Sequence, residues 1–202
     1  MTACPSARLL PQTPSQTVGP YFAYGLTPQQ YGYEHRSAYT PELAAPHAAG
    51  LHLRIEGRVL DGAGRPIDDA LVEIAQLDAL GREITSAAQA EALGFRGFGR
   101  CGTGTDAQGR YHFRTVKPGA AGPGEAPCIE VIVLMRGLLS HVHTRLYFDD
   151  EVQANAEDRV LQSVPPQRRA TLLARHEPGP AGPVYRFDIH MQGPGETVFF
   201  DL

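Results

Sequence analysis

Residues 140–150, SHVHTRLYFDD, carry the side chains whose types and spacing look most like a metal site. In an extended strand side chains alternate between faces, so His141 and His143 share one face while Val142, Thr144, Leu146 and Phe148 take the other. Two imidazoles presented this way can ligate a metal ion, and Asp149 or Glu151 could add a carboxylate. A protein-bound metal needs three or more protein donors, and the remaining ones are not evident nearby. The pair is therefore read as hydrogen-bonding histidines or as part of a subunit contact. A self-sufficient non-haem metal enzyme built on His141 and His143 stands as the alternative.

The chain that must position such groups has 202 residues, enough for one well-buried core. Its net charge of −4 gives no basic excess to neutralise phosphates, so nucleic acid is not an expected partner. The longest apolar run, 131–135, is far too short to span a bilayer, and residues 1–16 lack the apolar stretch of a secretory leader. Cys4, Cys101 and Cys128 are odd in number, scattered and without a CxxC pair, which favours free thiols in a reducing, cytoplasmic setting.

The 22 glycines and 17 prolines are spread as punctuation between short segments, as an all-β domain with many turns requires. Residues 1–50 hold five of the eight tyrosines without a helix or strand period. They read as an N-terminal arm that buries itself on a partner subunit. LHLRIEGRVL (51–60) alternates as a half-buried strand, ALVEIAQL (70–77) reads as the next, and 78–109 as mostly loop. Strands follow in YHFRTV, in CIEVIVLM (128–135), nearly continuous in apolar residues and so central, and in HVHTRLYF (141–148). A short helix is expected within 149–157, and a longer one over PPQRRATLLAR (165–175) capped by Ser163 with Leu172 and Leu173 inward. VYRFDIHM (184–191) and TVFFDL (197–202) read as closing strands. The expected fold is an all-β sandwich over 51–202 with the arm in front and one or two short helices.

TDAQGRYHFRTVKPG (105–119) is similar to the turn–strand–loop signature of intradiol ring-cleavage dioxygenases. LDGAGRPIDDALVEIAQLDALG (60–81) resembles the hairpin preceding it, with Ala75 where tryptophan is usual. TPSQTVGPYF (13–22), HTRLYFDDEVQAN (143–155) and YRFDIHMQGPGETVFFD (185–201) extend the resemblance over nearly the whole chain, towards the iron-free α subunits of two-chain members.

The resemblance implies a β-sandwich with ferric iron on two tyrosines and two histidines. It also assigns those positions here. The tyrosine two residues after KPG is Ala121, and the histidines opening the next strand are Cys128 and Glu130. The loop 84–95, where the other tyrosine belongs, contains none. Alanine offers no donor, and the oxidised ion needs anionic phenolates. This chain is therefore expected to hold no metal, and the Fe(III) to sit in a homologous β subunit. The implied substrates are 3,4-dihydroxybenzoate (protocatechuate) and O2, and the implied product 3-carboxy-cis,cis-muconate. This chain's expected share is the wall of the site: Thr17, Gly19 and Pro20 of the arm, and Arg136 at the end of the central strand. A guanidinium suits the substrate's ring carboxylate, and Gly-Pro makes a rigid, low-profile bend. No residue here is expected to be catalytic. A non-catalytic binding module of the transthyretin-like type is the remaining alternative.

Overall fold

The computed structural model describes residues 12–19, 21–180 and 182–201. Nine strands are present among them: β1 His52–Leu60, β2 Leu71–Ala75, β3 Phe98–Gly102, β4 Arg110–Val116, β5 Cys128–Leu134, β6 Val142–Phe148, β7 Leu173–Glu177, β8 Val184–Arg186 and β9 Ile189–His190. Their order is β3-β2-β5-β6-β7-β8-β1-β4, with β9 added to β1. The halves on either side of β6 and β7 face each other across one core, as the alternating strands require. β1 contributes Leu53, Ile55 and Val59, β4 Tyr111 and Phe113, β5 Ile129, Val131 and Val133, and β6 Leu146 and Phe148. Each fully buried aliphatic side chain stabilises the fold by about 1.5–3 kcal/mol, enough to fix the register of every strand that carries three.

The sheet comes close to meeting itself. End strands β3 and β4 lie within 8 Å, and residues 40–44 of the arm are stitched between them. Arg100 N donates to Thr40 O at 3.2 Å on the β3 side, while Leu43 N donates to Arg114 O at 2.8 Å on the β4 side. Leu43 is buried there, over Gly99, where any side chain would run into its Cδ1. The arm is also structured upstream, with helix α1 at Phe22–Leu26 and a 3-10 turn at Pro28–Tyr31. Gln30 clamps Gly102 of β3, its Oε1 accepting from Gly102 N at 2.9 Å and its Nε2 donating to Gly102 O at 2.6 Å. Tyr21, Tyr24 and Tyr33 form a contiguous aromatic group that stays exposed.

Four local expectations change. The stretch 78–109 contains helix α2, Ala87–Leu93, capped by the Ser86 hydroxyl and stopped by Gly94 at φ 61°, and then β3. The helix expected over 165–175 is a 3-10 turn, Pro166–Leu172, that gives way to β7 at Leu173. Ser163 instead ends helix α4, Arg159–Ser163, which follows α3, Val152–Glu157. The pair Pro165-Pro166 forces extended backbone ahead of each ring, which separates the two helical pieces. VYRFDIHM breaks in two because Phe187 closes over Gly57 and the Asp188 carboxylate, not a backbone carbonyl, accepts from Arg58 N at 2.8 Å. The 197–201 tail is no strand. It touches the sheet through Phe200 N donating to His143 O at 2.8 Å.

Candidate functional site

β5 is central, between β2 and β6, but it buries only alternate residues, and its second face opens into a cavity of about 1500 Å³. Register places Cys128 opposite Tyr147, Glu130 opposite Arg145, and Ile132 opposite His143 on that face, with Ala75 of β2 beside Glu130. The positions to which the resemblance assigns iron ligands, Ala121, Cys128 and Glu130, all line this cavity with Arg145.

Charge there is internally matched. Arg145 Nε pairs with Glu130 Oε1 at 2.9 Å, and His143 Nε2 stands 2.8 Å from Glu130 Oε2, off the line of a hydrogen bond. Burial alone would lower the Arg145 pKa, but the Tyr147 hydroxyl and the Glu130 carboxylate raise it above the ordinary arginine range. Tyr147 donates to Asp158 Oδ1 at 3.0 Å, and burial pushes its phenol well up. Asp158, itself buried, also accepts from Ala126 N at 2.9 Å and caps α4 through Leu161 N at 2.8 Å. Burial, then the Glu130 charge, pushes the Cys128 thiol up to about 12, so it is protonated at neutral pH.

These residues do not fit ferric iron. Ala121 has no donor, the nearby phenol and thiol keep their protons, and Glu130 is engaged by Arg145. Among the described residues no group of three or more His, Cys, Asp or Glu is placed to hold a metal ion.

The histidine pair is split. His141 is exposed ahead of β6, whereas His143 is buried between Glu130 and the Phe200 ring. Asp149 and Glu151 lie past the other end of that strand, about 25 Å from His141 at the rise of an extended chain. Both are otherwise occupied: Asp149 Oδ1 accepts from His176 N at 2.9 Å, and Glu151 pairs with Lys117 at 2.7 Å. The His141–His143–carboxylate site is thus not assembled. Lys117, first residue of the KPG loop, also reaches Asp150 at 2.9 Å and lies 5.1 Å above the Phe148 ring. Burial opposes its charge, but Glu151 and Asp150 outweigh it and raise the pKa to about 12. The FDD motif therefore anchors the loop that carries Ala121.

A second constellation lies at the opposite end of β5. Thr17 Oγ1 accepts from Gly137 N at 3.0 Å, joining arm and strand end across 120 positions of sequence. Gly19 O accepts from Phe22 N at 3.1 Å, turning the arm into α1, and the space around the Gly19 α-carbon is open. Pro20 lies outside the described residues. Arg136 is more than half exposed, and its Nε donates to Asp69 Oδ2. The two meet just outside the paired strands, each two residues past the terminal pair Leu71–Leu134. Thr17, Gly19 and Arg136 are thus gathered at one rim, apart from the cavity. Asp69 and Arg145 were not singled out from sequence, although the β2–β5 and β5–β6 pairings would have pointed to both.

A near-closed β-sandwich with a cavity against its central strand fits one class: the chain belongs to the intradiol ring-cleavage dioxygenase family. The family model described as "Dioxygenase" matches residues 18–193. The chain is 58% identical to the protocatechuate 3,4-dioxygenase alpha chain of Burkholderia cepacia, over 96% of this chain and 98% of that one. It is 35% identical to the beta chain from the same organism, over 73% of this chain and 67% of that one. Among solved structures it resembles the dioxygenase domain of a carbohydrate-binding fusion from Streptomyces sp. SirexAA-E, with a TM-score of 0.60 and 25% identity over 92% of this chain and 99% of that one.

Proposed function

We propose that this chain is the iron-free, α-type subunit of a two-chain protocatechuate 3,4-dioxygenase. It completes the site of a β-type partner that holds the Fe(III). The observation that carries this reading is the Glu130–Arg145 pair beside a protonated Cys128 and Ala121, which leaves no ferric donor set at those positions in a chain of this family. The chain's similarity to a beta chain as well as an alpha chain supports a homologous partner.

In this reading the partner opens the ring of 3,4-dihydroxybenzoate with O2 to give 3-carboxy-cis,cis-muconate, and this chain binds and orients. Arg136 meets the ring carboxylate, which lies far from the hydroxylated carbons, so its charge selects substrate without touching the reacting atoms. Thr17 and Gly19 stand at the same rim and, with Pro20, are assigned the adjoining wall that limits where the ring can sit. A cytoplasmic location belongs to the same reading. It is supported by free thiols at Cys101 and Cys128 and by the absence, among the described residues, of a helix long and apolar enough to cross a membrane.

The test is expression of the chain alone and with its β-type partner, followed by iron analysis and assay with 3,4-dihydroxybenzoate. The pair should be coloured and active, and the single chain iron-free and inactive. An iron-loaded, active single chain would end the proposal.

A further inference from the structure

We infer that Asp69 is the positioning residue for Arg136, and that it makes the pair selective for carboxylated catechols; this rests on the proposed role of Arg136. The two residues meet in the turns just beyond the ends of β2 and β5, each two positions past the terminal pair Leu71–Leu134. Asp69 is held beside Ala70, whose N donates to Thr103 Oγ1 at 3.1 Å and whose O accepts from Thr103 N at 2.9 Å. Its side chain is 19% exposed against 57% for Arg136, so the carboxylate sits behind and the guanidinium projects.

The contact uses Arg136 Nε, and among the described residues nothing takes Nη1 or Nη2. A guanidinium held by its Nε edge presents the two terminal nitrogens as a planar fork, the geometry that receives a carboxylate through two parallel hydrogen bonds. Exposed ion pairs contribute little to stability, so the contact is better explained by orientation than by holding the fold together. Asp69 also offsets the charge of Arg136. A free arginine would attract any anion, whereas the paired one favours an anion whose oxygens match the fork. The Thr17 hydroxyl on Gly137 N steadies the next residue, so arm and arginine are held in one frame.

The experiment uses the two-chain enzyme carrying Asp69→Ala, Asp69→Asn or Asp69→Glu in this subunit. Two readouts are taken: KM and kcat with 3,4-dihydroxybenzoate and with catechol, and calorimetric binding of 4-hydroxybenzoate against phenol. Asp69→Ala should raise KM for 3,4-dihydroxybenzoate about tenfold, the scale of a misplaced binding group, with kcat nearly unchanged. The 4-hydroxybenzoate Kd should rise by the same factor, while catechol and phenol do not respond. Asp69→Asn keeps an acceptor for Nε and should restore both values. Asp69→Glu keeps the charge but displaces the fork by a methylene, and should lose selectivity in the same direction as alanine. Unchanged or tighter 4-hydroxybenzoate binding in Asp69→Ala, or equal losses with and without the carboxylate, would overturn the inference. Arg136→Ala separates the two readings. If it discriminates between the substrates and Asp69→Ala does not, only the role of Asp69 fails. If Arg136→Ala itself does not discriminate, the proposed function of Arg136 fails.

Discussion

The two ends of strand β5 carry arginine–carboxylate pairs with opposite consequences. At its beginning Arg145 and Glu130 face each other inside the cavity, each mostly shielded, with the Tyr147 hydroxyl and His143 completing the surroundings. Beyond its end Arg136 is held by Asp69 on one edge only and projects into the open. A mostly shielded pair is tied to the fold, and removing either member leaves an uncompensated charge. A pair with half its donors unused costs little to keep and can still recognise something. The same chemistry thus closes one site and equips the other, and perturbations should separate into losses of stability and losses of selectivity.

The largest effect expected is on the closed side. Asp158→Ala removes the acceptor of the Tyr147 hydroxyl, of Ala126 N and of the α4 cap together, and should cost about 3 kcal/mol. Denaturant unfolding of the two-chain assembly measures it, and the ratio of KM values for 3,4-dihydroxybenzoate and catechol should stay put. A change in that ratio would break the division between the two ends.

On the open side, Arg136→Ala should leave the unfolding midpoint within error. It should raise KM for 3,4-dihydroxybenzoate by roughly tenfold or more, the equivalent of about 1.5–3 kcal/mol for a charged hydrogen bond. Catechol should be unaffected.

The smallest effect sharpens the description of the cavity. With its folded-state pKa raised from 9.0 to about 12, Cys128 keeps its proton after the unfolded chain has lost it. Its contribution is present below about pH 9 and is lost as pH climbs towards 12. Comparing the alkaline unfolding of the parent with Cys128→Ala isolates that slope. Iodoacetamide labelling of Cys128 at neutral pH should be correspondingly slow.

Much of this was legible in the residues. The patterns of LHLRIEGRVL, YHFRTV and HVHTRLYF place β1, β4 and β6 where they appear, although burial alternates only at the start of β1 and along most of β4, and β6 buries five of its seven residues. β5 was the ambiguous strand. Ile132 and Leu134 are apolar on its open face, so its alternation is hidden and it reads as buried on both sides. β3 was missed because FGRCG carries glycines where Leu43 and Gln30 approach the strand, and those approaches come from 56 or more positions away. The pairing of Arg136 with Asp69, and of Arg145 with Glu130, depends on strand register, which no local pattern contains. His141 and His143 show the reverse failing: a period-2 motif is local, but whether its members reach the same neighbours depends on where the strand begins.

The strap at residues 40–44 bears on how the molecule is made. Its partners, Arg100 and Arg114, are synthesised some 60 to 70 residues later, so the seam can be sewn only after both end strands exist. Until then β3 and β4 expose open edges, which invite pairing with other chains. The seam thus couples the arm to the two end strands, and its closure removes both open edges in one step.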